Sequence, residues 1–270
     1  SGMLLYGMSL MYGFAGDTSF AGIAQALQSA DVNQFGLGVA LVMILTGLAF
    51  KVSAVPFHMW TPDVYEGAPM PVTAFMASAP KAAAMALLMR VLCQPLMEMN
   101  EHWIQIIAML SVITMAVGSI LAIAQTNIKR LLAYSSIGNV GFMLVGLVAG
   151  THAGIEAMLV YMTIYLAMTL GIFALMLSLR RKNIFIDKID DIVGLSQIAP
   201  GAAFMMLILM FSLAGVPPLA GFFAKFYVFS AAVQAGYTWL AVTGVIFSVI
   251  AAYYCLRIVK TMYFDKGKGR

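Results

Sequence analysis

The chain has 270 residues, 62% hydrophobic and only 10% charged, with a formal net charge of +4. A soluble domain carries about a quarter charged residues; at a mean hydropathy of +0.94 no soluble core of this size could cover the apolar surface, so a bilayer must be the solvent for much of the chain. Nucleic acid is excluded as a partner, because the basic residues fall in short clusters between apolar runs, where orientation signals explain them.

Ser1-Gly2 opens directly into an apolar run with no basic leader, no cleavage pattern and no initiating Met, which reads as a fragment of a longer chain. About 20 mostly apolar residues make a spanning helix. Eight segments meet or approach that length: 3–15, 36–55, 72–95, 103–124, 131–149, 154–179, 200–233 and 239–262. The first is short. The second ends in Phe50-Lys51-Val52-Ser53-Ala54-Val55-Pro56, a lysine beside a helix breaker. Just past it, His58 and Trp60, with Asp63 and Glu66, read as an interfacial anchor.

The third segment carries Lys81 roughly 14 Å from its start, close to mid-bilayer. On the fifth, Tyr134, Ser135 and Asn139 are candidates to line ordered water, with Ser136 beside them; Ser135 and Asn139 share a face at i, i+4. Gly138 and Gly141 make the same face small, which suits close helix packing equally well. Glu156 suits the N-terminus of the sixth, and 183–199 reads as a loop with a short interfacial turn. The seventh is too long for one span and contains Gly215-Val216-Pro217-Pro218, so two half-helices are expected there, with Lys225 seven residues beyond the prolines. Cys93 and Cys255 have no His or carboxylate at ligand spacing, which argues against a disulfide or a metal site.

Eight alternating spans put three basic clusters on one side: Lys129 and Arg130; Arg180, Arg181, Lys182 and Lys188; and Lys260, Lys266, Lys268 and Arg270. The opposite loops, 16–35, 96–102, 150–153 and 234–238, hold no Lys or Arg, so the basic side is expected in the cytoplasm. Arg90, Arg257 and Lys260 lie near helix ends and can reach the interface. Lys51, Lys81 and Lys225 lie deeper. A lysine at the centre of a span costs roughly 2.5–3.5 kcal/mol, so all three are expected to face protein or water. A buried amine can take up and release a proton as its surroundings change. Broken helices in two halves of a chain point to a transport site, where unpaired carbonyls hold water or a cation. The expectation is therefore proton transfer through Lys51, Lys81 and Lys225, with helix breaks at Pro56 and at Gly215, Pro217 and Pro218.

Three stretches are specific: Pro56-Phe57-His58-Met59-Trp60-Thr61-Pro62-Asp63-Val64-Tyr65-Glu66-Gly67-Ala68-Pro69; Gln125 to Ile137; and Ser212 to Phe226. They resemble the antiporter-like membrane subunits of proton-pumping NADH:quinone oxidoreductase, respiratory complex I, and the first resembles the chain N type. The resemblance covers almost the whole sequence. It implies an all-α polytopic transmembrane bundle with broken helices and inverted repeats, matching helices six to thirteen of about fourteen. Residues 1–95 would be the C-terminal part of a first antiporter-like repeat, itself incomplete, and 96–270 the second. Lys51 and Lys225 would be the broken-helix lysines and Lys81 the connecting lysine. The family's glutamate partner of the first lysine, a further lysine and the last helix have no counterpart here. Asn139 stands where some relatives have histidine; it can order water but cannot titrate.

The resemblance also implies a translocase subunit of the bacterial inner membrane, with other complex I membrane subunits, lipid, protons and ordered water as partners. NADH, FMN, iron–sulfur clusters and quinone would belong to partner subunits, and none to this chain. A subunit of a multisubunit sodium/proton antiporter and a non-pumping membrane scaffold are the alternatives.

Overall fold

The computed structural model describes residues 2–28, 34–181, 184–185 and 187–265. Lys182, Lys266, Lys268 and Arg270, counted above among the basic loops, lie outside the described residues. Twelve α-helices follow in chain order among the described residues: α1 Gly2–Ala15, α2 Phe20–Leu27, α3 Gln34–Val52, α4 Trp60–Gly67, α5 Met70–Cys93, α6 Asn100–Ile123, α7 Ile128–Val148, α8 His152–Ser178, α9 Leu195–Ile198, α10 Pro200–Ala214, α11 Ala220–Gln234 and α12 Thr238–Tyr263. After α8 the backbone of Arg180–Arg181 pairs with Ile184–Phe185 in a short antiparallel turn.

Six stretches are long and apolar enough to cross a bilayer singly: Phe35–Val52, Met70–Cys93, Asn100–Ile123, Ile128–Val148, His152–Ser178 and Thr238–Tyr263. The other two expected segments are built differently. Helix α1 has 14 residues, and α10 and α11 have 15 each, about 21–23 Å of helix against a hydrocarbon core of about 30 Å. The seventh segment is therefore two half-helices, as its prolines suggested.

The first break differs from its sequence expectation. Helix α3 stops at Val52 rather than running to 55. Ser53 takes a left-handed φ of 66°, and Val55 precedes a proline, which disfavours helical backbone. The Ala54 N–H turns back to the Ala49 carbonyl at 2.9 Å, closing the helix end. Thr61 donates to the Ser53 hydroxyl at 2.8 Å and the Val55 N–H donates to Thr114 on α6 at 3.0 Å. Two short helices lie in stretches read from the sequence as loops. One is α4. The other is α2, capped by Ser19, whose hydroxyl accepts the Gly22 N–H at 3.0 Å.

Helix α7 is the axis of the bundle: every residue from Ile128 to Val148 except Arg130 is buried. Helices α6 and α8 lie along it, and α4, α5, α11 and α12 close the remaining faces. Small residues permit this. At the α6–α7 crossing Gly118 sits on the Gly138 backbone with no room for a Cβ. A Cβ at Gly141 would come within 2.7 Å of the Met115 backbone nitrogen. Between membrane helices, where lipid supplies no hydrophobic drive, such close approach is a main source of association energy.

The basic loops meet at one end of the bundle. The Ile128 N–H donates to the Asp187 carbonyl at 2.8 Å, Ile189 to Thr126 at 3.0 Å and Gly194 to Thr261 at 3.4 Å. Arg130 adds Asp63 at 2.7 Å and Glu66 at 2.9 Å, which ties α4 to the start of α7. Exposed pairs of this kind contribute about 0–1 kcal/mol each, so they locate α4 more than they stabilise it.

The two crossing glycines are not equivalent. A Cβ at Gly138 would meet nothing closer than 3.6 Å. Gly118→Ala is expected to lower stability by about 1–3 kcal/mol through overpacking, and Gly138→Ala by no more than about 0.5 kcal/mol, measured as resistance to thermal unfolding in detergent.

Candidate functional site

Lys81 lies mid-way along α5, directly after Pro80. A proline inside a helix lacks an N–H, so the carbonyl one turn back, that of Met76, loses its usual donor and bends the helix. Lys81 is 4% exposed, and its Nζ donates to the Ser136 hydroxyl of α7. The amine also lies 5.5 Å from the centre of the Tyr65 ring. Ser136 in turn shares a 2.6 Å hydrogen bond with the Tyr165 hydroxyl of α8.

On the other flank of α7, Tyr254 of α12 donates to the Ser135 hydroxyl at 2.8 Å. Asn139 donates to the Ser135 carbonyl at 2.8 Å and accepts from Tyr161 of α8 at 2.7 Å. Adjacent serines on a helix point to different sides, so α7 presents hydroxyls both ways. Between the flanks is a small cavity lined by Ser135, Ser136, Tyr165, Thr169 and Leu213, with space for about one water.

Lys225 is 5% exposed on α11. Its Nζ donates to the carbonyls of Ala214 at 3.0 Å and Leu213 at 3.3 Å, and to the Ser248 hydroxyl of α12 at 2.8 Å. It also lies 4.9 Å from the centre of the Phe142 ring, close enough for a cation–π contact. The two carbonyls belong to the end of α10. A helix C-terminus leaves carbonyls unpaired and carries partial negative charge, so the break makes a seat for an amine. Gly215 turns the chain there at φ 88°, and a Cβ would stand 3.1 Å from the Lys225 side chain. On the far side of the turn, Gly221 donates to the Ser212 hydroxyl at 3.0 Å. Leu213 both accepts from Lys225 and lines the cavity next to Ser136, so one residue lies between Lys225 and that cavity.

Lys51 does not join them, and the burial expected of it is not met. Its side chain is exposed and has no hydrogen bond or ion pair to another described residue. Helix α1 packs along α3 lower down, with Gly7 against Ile44 and Leu4 against Gly47. The neighbouring Phe50 faces Trp60, whose ring centre is 5.7 Å away and whose Nε1 donates to the Phe50 carbonyl at 3.2 Å. His58 is half-buried, and burial holds its imidazole below the usual range.

Of the water-lining candidates, Ser135 and Asn139 lie in the polar seam along α7. Tyr134 is buried but makes no hydrogen bond to another described residue. Ser136, named beside the candidates, lies in the seam too, whereas Tyr161, Tyr165, Tyr254 and Ser248 were not singled out from the sequence. A signal existed for two of them, since Tyr161 and Tyr165 stand at i, i+4 in an otherwise apolar helix. Lys129, read as an orientation signal, is buried instead, 3.4 Å from Asp187 and from the Ala68 carbonyl.

Residues 1–251 match the family described as NADH:quinone oxidoreductase/Mrp antiporter, TM. NADH-quinone oxidoreductase subunit N of Methylobacterium nodulans is 59% identical over 269 residues, covering 100% of this chain and 56% of that one. The subunit N of Parvibaculum lavamentivorans is 58% identical over 98% of this chain and 55% of that one. The chain thus spans about half the length of the curated relatives it matches. Among solved structures, respiratory complex I from Thermus thermophilus with bound aureothin contains a chain with TM-score 0.81 and 34% identity, covering 100% of this chain and 59% of that one. A chain of the Mrp complex from a Dietzia species gives TM-score 0.85 at 25% identity, covering 99% of this chain and 49% of that one.

Gly215→Ala is expected to disturb the seat of Lys225 in two ways. It forces a Cβ into left-handed backbone, at about 1–2 kcal/mol, and it crowds the amine. A lower unfolding midpoint for Gly215→Ala than for Gly201→Ala, whose added Cβ meets nothing within 4 Å, would show it.

Proposed function

The chain belongs to the NADH:quinone oxidoreductase/Mrp antiporter transmembrane family, and on that premise we propose that it carries protons across the membrane as part of an NADH:quinone oxidoreductase. One observation carries the reading: Lys81 and Lys225 are both buried and both held by oxygen acceptors, Lys81 by Ser136 of α7 and Lys225 by carbonyls at the end of α10, where Leu213 also lines the cavity of Ser135 and Ser136. Hydroxyls donate and accept at once, so the seam along α7 can pass a proton by reorienting while the amines store it.

The relatives named as subunit N support placing the chain among the membrane subunits of such a complex. In this reading the NADH, flavin, iron–sulfur and quinone chemistry belongs to partner subunits, and the membrane is the bacterial inner membrane with the basic end in the cytoplasm. Residues 1–95 and 96–270 are two repeats, a division supported by one broken helix in each. Lys51 is the third carrier. Its position beside the first break supports that role, and its exposure requires cover from protein beyond the described residues. Moving a charge through about 100 mV takes about 2.3 kcal/mol, well over one pKa unit at about 1.36 kcal/mol each. The drive must therefore bias the lysine pKa values by units, not tenths.

In vesicles containing the whole complex, Lys51→Ala, Lys81→Ala and Lys225→Ala are each expected to lower the proton-to-electron ratio during NADH oxidation. Wild-type ratios in all three would leave a scaffold as the better reading. Sodium-dependent proton exchange without NADH would favour a sodium/proton antiporter.

A further inference from the structure

The Ser136 hydroxyl is approached from three sides. Lys81 donates to it from α5, and Tyr165 shares a hydrogen bond with it from α8 at 2.6 Å. The Tyr65 ring comes in from α4, its centre 5.5 Å from the Lys81 amine that Ser136 holds. Tyr65 has no solvent exposure, yet its hydroxyl has no hydrogen-bond partner among the described residues. A polar group left so costs about 1–3 kcal/mol, and α4 is pinned in that position by Arg130 through Asp63 and Glu66. Those carboxylates stand at the basic end of the bundle, two residues before and one after Tyr65. Tyr165 leads the other way, into the cavity bordered by Thr169 and Leu213, next to Lys225.

A serine hydroxyl has one proton and two lone pairs. With Lys81 on one lone pair, Ser136 has one proton to give and two phenols to choose between. We propose that Ser136 is a selector: its single proton connects Lys81 to Tyr65 and the basic end in one orientation, and to Tyr165 and the second break in the other. This rests on the reading of Lys81 as a proton carrier.

The steps balance. For release, Tyr165 passes its proton to a water in the cavity, Ser136 passes its own to Tyr165, and Lys81 as an ammonium passes one to Ser136. Lys81 is then a neutral amine and accepts from Ser136. For loading, Tyr65 gives a proton to Ser136 as Ser136 gives its own to Lys81, and a hydronium ion from the basic end returns a proton to Tyr65 and leaves as water. Rotation of the Ser136 proton from Tyr65 to Tyr165 resets the site.

The test uses vesicles of the whole complex and Tyr65→Phe, Tyr165→Phe, the double variant, Ser136→Ala, Ser136→Thr and Lys81→Ala. Assembly is checked by NADH oxidation and by the amount of complex in the membrane. Each phenylalanine variant and Ser136→Ala is expected to lose as much proton translocation as Lys81→Ala. The double variant loses no more than either single, because the two arms act in series. Ser136→Thr, which keeps the hydroxyl, restores translocation. Wild-type translocation in Tyr65→Phe with a defective Lys81→Ala would overturn the selector and leave the lysine reading intact. Multiplying losses in the double variant, or no rescue by Ser136→Thr in an assembled complex, would overturn it as well. A wild-type ratio in Lys81→Ala would instead remove the reading beneath it.

Discussion

An amine buried in a membrane protein needs oxygen atoms in place of the water it has left, because an unpaired charge in low dielectric is expensive. The bundle meets that demand for Lys81 and Lys225 by different means. Lys81 takes a serine hydroxyl, on a helix whose own proline frees a nearby carbonyl. Lys225 takes the carbonyl end of a half-helix. In both cases the acceptors are weak enough to leave the charge conditional, since no carboxylate faces either amine among the described residues. A full ion pair would lock each amine in its charged form.

That solution constrains the packing. The hydroxyls that serve Lys81 sit on α7, so α7 must be central and its neighbours must approach closely. The contact of Gly118 with Gly138 and the absence of space at Gly141 follow from it. So does the near-complete burial of α7, whose polar residues would otherwise face lipid. The tyrosines of α8 and α12 then become the natural partners, because a phenol carries its hydroxyl across the width of a helix contact on an apolar ring.

The two breaks are not copies of one another. In the second, the lysine follows the break and folds back onto its carbonyls. In the first, Lys51 precedes the break, and the freed backbone groups are taken by Thr114 and Trp60. The first break therefore anchors the start of α4, through Trp60 on the Phe50 carbonyl and Thr61 on Ser53. Arg130 joins α4 to α7 at the basic end.

Much of this was legible along the chain. Apolar length located the spans, Pro217 and Pro218 divided the seventh, and lysines inside apolar runs marked the candidate site, because each of these is a property of a few consecutive residues. The end of α3 was misjudged by three residues because Ser53 adopts a backbone conformation common only for glycine. Lys51 was grouped with the buried lysines because depth along a helix can be counted from sequence but the covered side cannot. What the sequence determined alone was the bilayer, the spans, the breaks and the presence of amines within them. Only the tertiary structure decided which amines have partners. Lys81 meets Ser136 across 55 residues and Tyr254 meets Ser135 across 119, and such pairs are set by the rotation and register of packed helices, which no local pattern encodes.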